Sequence, residues 1–364
     1  MFSVHFICNF IFGDSYVRHN FKRFFKKMKI LVTGIAGCIG YSLVKKLSKN
    51  KNTQIFGIDN INNYYSQKLK KDRLKELGFS KLKKNTEENS LSNNQLQFIN
   101  TDLKNDFFIN YLNNKKFDLI IHLAAQAGVQ YSIKNPQSYI SNNISATINI
   151  YELAKNINCK KIIYASSSSI YGSNSKLPFS ENDTVTSPIS TYATTKLFCE
   201  NISRVYKHLY NIESIGLRFF TVYGPWGRPD MSIFKFIYQY FNKQKITLFD
   251  SDKMLRDFTY IDDIVNGICG VMKNYKKIIK SKNHILNLGY GKPVQLNKIV
   301  NFLIKDLKLD LNIVNKKKLK GDVNKTHADI KLAKKLINYK PIIGYKTGIY
   351  NFLQWYVSYY KIKK

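Results

Sequence analysis

Apolar positions along this chain alternate between two rhythms. Four short, nearly unbroken apolar runs read as strands buried on both faces: Lys29-Ile30-Leu31-Val32-Thr33, Gln54-Ile55-Phe56-Gly57-Ile58-Asp59, Asp118-Leu119-Ile120-Ile121-His122-Leu123 and Lys161-Ile162-Ile163-Tyr164-Ala165. After the first of them Ile39, Leu43, Val44 and Leu47 recur at helical spacing, which predicts a helix with one apolar face. Parallel strands need such crossovers, so from Met28 onward the pattern predicts an α/β fold, a parallel sheet flanked by helices. Lys81 to Asn94 has no apolar period and is rich in Lys, Asn and Ser; it is expected to form an exposed loop. Beyond about residue 216, Pro225, Gly227, Pro229, Gly289, Gly291 and Pro293 break the chain into shorter elements, expected to build a smaller α/β lobe. Ile349, Phe352, Leu353, Tyr356 and Tyr360 then recur at helical spacing, the pattern of a helix packed on the body.

Charge changes this picture less than its size suggests. Of 58 cationic residues against 24 acidic ones only seven are arginine, and the lysines are spread along the whole chain with many Asn and Ile. That reads as a coding bias and not as a nucleic-acid surface, since lysine runs are usually solvated faces. The five cysteines are odd in number and show no CxxC or CxxH spacing, so neither a disulfide framework nor a metal site is expected, and a reducing compartment, the cytoplasm, is. No stretch offers the roughly eighteen uninterrupted apolar residues of a membrane span. In residues 1–27 the basic run Lys22-Arg23-Phe24-Phe25-Lys26-Lys27 follows the apolar Phe2 to Phe12, the reverse of a signal peptide. These residues are expected to be a disordered or untranslated extension, with Met28 the start.

Candidate chemistry begins at Thr33-Gly34-Ile35-Ala36-Gly37-Cys38-Ile39-Gly40, a glycine loop between a predicted strand and a predicted helix. Glycines there let the backbone turn tightly against a pyrophosphate at the positive end of the helix. Asp59 ends the next strand, where a carboxylate accepts hydrogen bonds from a ribose diol and repels the 2′-phosphate of NADP. Residues 59–67 hold no cation to receive that phosphate, so the expected cofactor is NAD. Asp102 and Leu103, after a further short apolar run, are expected at the adenine edge, although an Asp there is commonly a helix cap.

Tyr192-Ala193-Thr194-Thr195-Lys196 places a phenol and an ammonium on one helix face, and the ammonium favours a phenolate able to act as general base. The YxxxK spacing alone says little, because it also occurs at Tyr41, Tyr64, Tyr111, Tyr151, Tyr359 and Tyr360. Tyr192 stands out because it follows the strand ending in Ser166-Ser167-Ser168-Ser169, and strand C-termini of a parallel sheet converge on the ligand.

The glycine loop, the serine strand and YxxxK together resemble the extended short-chain dehydrogenase/reductase family. Asp59 to Tyr65, His122 to Val129, Leu217 to Met231 and Arg256 to Ile264 are similar in particular to its UDP-glucuronate 4-epimerases, and the likeness runs from Met28 to about Tyr339. The resemblance implies a Rossmann-type sheet over 28–216 with a return segment near 256–272, and a nucleotide-sugar lobe from 217–255 and 273–364. It implies Tyr192 as base, Lys196 on the nicotinamide ribose and Ser167 at the catalytic hydroxyl. Gly34, Gly37, Cys38, Ile39, Gly40, Asp59, Asp102, Leu103, Ala124, Ala125 and Asn143 are implied around NAD. Ser168, Ser169, Thr221, Arg228, Arg256 and Asp322 are implied around a UDP-sugar. Cys38 departs from the family's bulky aromatic in the glycine loop, and Lys320 from its proline before Gly321-Asp322.

The implied reaction is 4-epimerisation through a transient 4-keto sugar, with UDP-glucuronate as substrate and a homodimer as the assembly. A 4,6-dehydratase needs a carboxylate pair where this chain has Ser168-Ser169. A 4-keto uronate is a β-keto acid, so an epimerase must hold its carboxylate out of line; Thr221 and Arg228 are the candidates for that task. The alternatives are a 4-epimerase of a neutral UDP-hexose or UDP-N-acetylhexosamine, a UDP-glucuronate decarboxylase and a non-catalytic cationic NAD-binding protein. Arg218, Arg228 and Arg256 cluster within the second half of a chain poor in arginine, which suggests positions where planar, bidentate geometry matters; for Arg218 a core-edge salt bridge is an equal alternative.

Overall fold

The computed structural model describes residues 28–174, 176–250, 253–317, 321 and 323–362. The expectations for residues 1–27, Lys320 and Asp322 fall outside these. Strands and helices alternate as the apolar rhythm predicts: β1 (Met28–Thr33), α1 (Cys38–Leu47), β2 (Thr53–Asp59), α2 (Gln67–Glu76), β3 (Glu87–Asn89), β4 (Leu96–Asn100), α3 (Asp106–Leu112), β5 (Leu119–His122), α4 (Ala146–Asn156), β6 (Lys161–Ser167), α5 (Thr191–Tyr210) and β7 (Glu213–Phe219). Later come β8 (Thr221–Tyr223), α6 (Ser232–Phe241), β9 (Ile246–Phe249), β10 (Leu255–Arg256), β11 (Phe258–Tyr260), α7 (Ile261–Lys273), β12 (Ile285–Leu288), β13 (Val294–Gln295), β14 (Ile313–Lys316) and α8 (Tyr345–Tyr359).

The main sheet has eight strands in the order β12-β7-β6-β5-β1-β2-β4-β3. All neighbours are parallel except β3, which runs antiparallel to β4. Strand periodicity sends alternate residues to opposite faces. Ile30 and Val32 join a core with Leu43, Val44, Ile264 and Ile268 under α1 and α7, whereas Leu31 joins Ile150, Leu153, Cys199 and Tyr206 under α4 and α5. Three small two-stranded sheets (β11 with β8, β10 with β13, β14 with β9) follow the main sheet's seventh strand.

Two expectations need correction. Lys81 to Asn94 is not wholly a loop: Glu87–Asn89 forms edge strand β3, and the Glu88 carboxylate accepts hydrogen bonds from the backbone N–H groups of Ser80, Lys81 and Leu82. Pairing, and not side-chain pattern, makes this strand. The main sheet also crosses the boundary expected at residue 216: β7 continues to Phe219, and β12 pairs with it (Leu286 opposite Leu217) from within the segment assigned to the lobe. Among the described residues no helix is long and apolar enough to cross a membrane.

Candidate active site

The strand order reverses between β1 and β5, so the loops leaving these two neighbours run apart and open a crevice at the strands' carboxyl ends. The glycine loop fills its floor. Gly34 has φ +76°, and a Cβ there would lie 2.7 Å from the Ala124 backbone nitrogen; a Cβ on Gly40 would lie 2.1 Å from the Gly34 oxygen. Both positions therefore exclude any side chain, and α1 can start hard against the turn. No side chain caps α1 and no acid sits in its first turn, which leaves its amino end free to meet an anion. This cradle, which a Cβ would fill, fits the pyrophosphate of a dinucleotide.

Asp59 stands at the end of β2. Its Oδ2 accepts from the Ala36 N–H at 3.0 Å and its Oδ1 from the Ile61 N–H at 2.9 Å. Burial pushes its carboxyl above the ordinary value, with the Lys70 charge and the two amides opposing. A small cleft of ≈ 110 Å³ runs beside it, lined also by Asp102, Leu103, Ala124 and Ala125. Lys70 lines the same cleft, and its Nζ donates to the Asn62 carbonyl at 2.7 Å. Burial brings its ammonium down to about 8. A search for cations that stops at residue 67 misses it, because α2 folds it back. Asp102 orders its own turn: Oδ2 accepts from Asn60 Nδ2 and Oδ1 from the Lys104 N–H, both at 3.0 Å.

Asn143 lines neither cleft. It sits in a π-helical turn (Ile140–Ser145), 1% exposed, where its Oδ1 accepts from the Gln126 N–H at 2.7 Å and its Nδ2 donates to Thr195 Oγ1 at 2.9 Å. It ties the loop after β5 to α5 one residue before Lys196, and so braces the site from behind.

The larger cleft, ≈ 520 Å³, begins at Gly34, Gly37, Cys38, Ile39 and Gly40 and continues past the ends of β6 and β7. Its size is that of a small-molecule site. Ser167, Ser168 and Ser169 line it, with Ser167 Oγ accepting from the Ser169 N–H at 3.2 Å. Ser190 caps α5 through its side chain, and the first turns of that helix bring Tyr192 and Lys196 to the same cleft. Lys196 Nζ donates to the Ala165 carbonyl at 2.8 Å, which holds it to β6. Tyr64 reaches the cleft too, but its motif partner Lys68 pairs with Asp72 at 2.6 Å on the surface.

Beneath Lys196 lies a polar stack that sequence reading missed. His122 sits between Thr33 Oγ1 at 2.8 Å and Thr147 Oγ1 at 3.2 Å, and burial with the Lys196 charge pushes its imidazole down to about 3. Glu200, one turn beyond Lys196, accepts from Ser166 Oγ at 2.6 Å and takes both arms of Arg218, at 3.0 and 2.8 Å. Arg218 is 2% exposed and also donates to Tyr171 Oη at 2.9 Å. It is thus a core brace, unlike the two arginines grouped with it on arginine usage.

Thr221, Arg228 and Arg256 line the far half of the cleft. Arg256 Nη1 donates to the carbonyls of Leu255 at 3.1 Å and Asn324 at 2.9 Å. Arg228 forks onto Asp230, with Nε 3.0 Å from Oδ1 and Nη2 on Oδ2, and the Tyr64 hydroxyl donates to Oδ2 at 3.1 Å. Arg73, unremarked in the sequence, is fully buried and donates to the carbonyls of Ala36 at 2.7 Å, Trp226 at 2.6 Å and Gly227 at 3.0 Å. It ties the glycine loop to the segment carrying Arg228; its presence as one of few arginines was the available signal. Among the described residues no group of three or more His, Cys, Asp or Glu side chains is placed to hold a metal ion.

The family model of the NAD dependent epimerase/dehydratase family matches residues 30–289. Protein CapI of Staphylococcus aureus is 39% identical over 347 residues, 92% of this chain and 100% of that protein. UDP-glucuronate 4-epimerase 5 of Arabidopsis thaliana is 39% identical over 355 residues, 92% of this chain and 76% of that protein. The crystal structure of UDP-glucuronic acid 4-epimerase from Bacillus cereus in complex with UDP-glucuronic acid and NAD superposes with a TM-score of 0.81 at 32% identity, covering 92% of this chain and 100% of that one.

Proposed function

The chain belongs to the NAD-dependent epimerase/dehydratase family, and on that footing we propose that it is a UDP-sugar 4-epimerase that interconverts UDP-glucuronate and UDP-galacturonate. One observation carries the reading: Tyr192, Lys196 and Ser167 border, together with the glycine loop, a single cleft that continues to Thr221, Arg228 and Arg256. NAD, when bound, supplies reversible oxidation at C4 of the sugar. Gly34, Gly37 and the amino end of α1 would hold its pyrophosphate, and Asp59 its ribose. Tyr192 takes the proton from the C4 hydroxyl and later returns it, with Ser167 sharing that proton by hydrogen bond. Lys196, tethered to Ala165, orients the ribose. Ser168, Ser169 and Thr221 contact the sugar, and Arg228 faces its carboxylate. Arg256 and Asp322 hold the UDP moiety.

The test is product analysis. Purified protein with NAD and UDP-glucuronate should yield UDP-galacturonate. UDP-xylose as sole product, or no conversion while UDP-glucose is epimerised, overturns the reading. A second reading, a neutral UDP-sugar 4-epimerase, is favoured by one observation: Arg228 is already paired with Asp230 and shows the cleft little unshared charge. Arg228→Ala should then leave turnover almost unchanged.

A homodimer is part of the same proposal. Val205 and Leu209, four residues apart on α5, are 45% and 58% exposed, an apolar stripe that a second copy would cover. Sedimentation velocity giving a monomer at micromolar concentration would refute it.

A further inference from the structure

The carboxylate beside Arg228 has no part in the chemistry above, yet it lies in the same cleft. Asp230 occupies the Nε and Nη2 edge of the guanidinium. A guanidinium offers two such edges, so only the Nη1 side remains for another acceptor. Asp230 is itself fixed, because the Tyr64 hydroxyl donates to Oδ2 at 3.1 Å. Burial and the neighbouring carboxylate raise the Tyr64 phenol well above its ordinary value, so this hydroxyl stays protonated and keeps its proton for Asp230 while its oxygen accepts from Arg228. Burial pushes the Asp230 carboxyl upward, but Arg228 and Tyr64 outweigh that and hold it below the ordinary value, so it stays charged. The three side chains pack against Gly128, where a Cβ would lie 2.4 Å from Tyr64 Oη and 3.6 Å from Arg228 Nη2.

We propose that Asp230, held by Tyr64, is a specificity-determining residue that rations Arg228: it confines an anionic sugar to the Nη1 edge and sets how much positive charge the cleft presents. The inference rests on the reading of Arg228 as the partner of a sugar carboxylate. Two consequences oppose one another in wild type. Arg228 attracts the uronate, while Asp230 repels it and competes for the same cation. A neutral hexose feels neither. The device therefore weakens ground-state capture of the acid sugar, and it keeps the guanidinium from swinging with the sugar as the ring turns over.

Asp230→Asn keeps the size and an acceptor oxygen but removes the charge. Its dissociation constants for UDP-glucuronate, UDP-glucose and UDP, measured by calorimetric titration of the NAD-loaded protein, separate the possibilities. Expected is a roughly three- to tenfold tightening for UDP-glucuronate, with UDP and UDP-glucose within about twofold of wild type; the scale is that of a like-charge contact screened by partial exposure. Tyr64→Phe should move the same ratio in the same direction by less, and it provides the test should Asp230→Asn fail to fold. An unchanged ratio of UDP-glucuronate to UDP-glucose affinity in both variants overturns the inference, as does equal weakening of all three ligands, the mark of a merely structural brace. Arg228→Ala keeps the two levels apart. If it leaves the ratio untouched, the uronate reading itself fails. If it abolishes the preference while neither Asp230→Asn nor Tyr64→Phe raises it, the uronate reading stands and the rationing role falls.

Discussion

Deleting Glu200 should cost far more than deleting a surface charge such as Asp72, and the reason is local. Its carboxylate is 1% exposed at the side chain, receives both arms of an arginine 2% exposed, and accepts a third hydrogen bond from Ser166. Glu200→Ala leaves a guanidinium buried without a counter-ion, which costs about 3–5 kcal/mol. The orphaned Ser166 hydroxyl adds roughly 1 kcal/mol. The contrast is Asp72→Ala, which breaks an i,i+4 pair whose lysine is 79% exposed and should cost about 0.5 kcal/mol through that pair. Equilibrium urea unfolding of wild type, the two single variants and the double variant Glu200→Leu with Arg218→Met measures this directly. The double variant should recover most of the loss, because apolar replacement of a buried pair is often neutral or better. A cost below about 1 kcal/mol for Glu200→Ala, or a double variant as unstable as the single one, would refute the reasoning. Since Glu200 lies one turn beyond Lys196 on α5, kcat should fall in Glu200→Ala and return in the double variant.

Other consequences can be checked as simply. Gly40→Ala places a methyl 2.1 Å from the Gly34 carbonyl, so the purified variant should retain at least tenfold less NAD, read from the supernatant of acid-precipitated protein; full NAD content would contradict the cradle. Tyr192→Phe should lower kcat by about 10²–10⁴ while UDP binding stays within roughly twofold, and a smaller loss would remove Tyr192 from the proton transfer. His122 titrates near 3 in the fold against 6.5 in the unfolded chain, so the unfolded state takes up the proton first. Its contribution is complete above pH 6.5 and is lost as pH falls towards 3, with a limiting slope of roughly 1.4 kcal/mol per pH unit. His122→Asn should flatten the stability profile between pH 6 and 4 relative to wild type, and parallel profiles would contradict a neutral buried imidazole.

The four apolar runs became β1, β2, β5 and β6 within two residues at either end, because strands buried on both faces leave an unbroken apolar signature. The glycine loop was legible for the same kind of reason: local backbone geometry restricts residue type. What escaped depends on distant partners. The polar sequence Glu87-Glu88-Asn89 is a strand only because β4 offers a free edge, and β12 belongs to the main sheet only because β7 does. In the site, the Tyr192–Lys196 pair and the serines could be chosen from order along the chain. For Arg218 a core ion pair was an open alternative, but neither its partner Glu200 nor the pairing of Arg228 with Asp230 could be read from order along the chain. Asn143 illustrates the middle case: the family likeness singled it out, but its placement behind Thr195 requires the π-helical turn to be seen.

The order in which the ribosome delivers this sheet also matters. One edge is blunted early, because the short polar strand β3 emerges just before β4 and pairs with it. The opposite edge is β7, complete at Phe219, and its partner ends only at Leu288. At synthesis rates of about 5–20 residues per second the intervening stretch takes roughly 3–14 s to appear. Throughout that interval the nascent chain carries a strand, Glu213–Phe219, with its outer hydrogen-bonding groups unmatched. A chain stopped before β12 would thus display a ready template for intermolecular pairing, and stalled or truncated products of this gene should be found in the insoluble fraction.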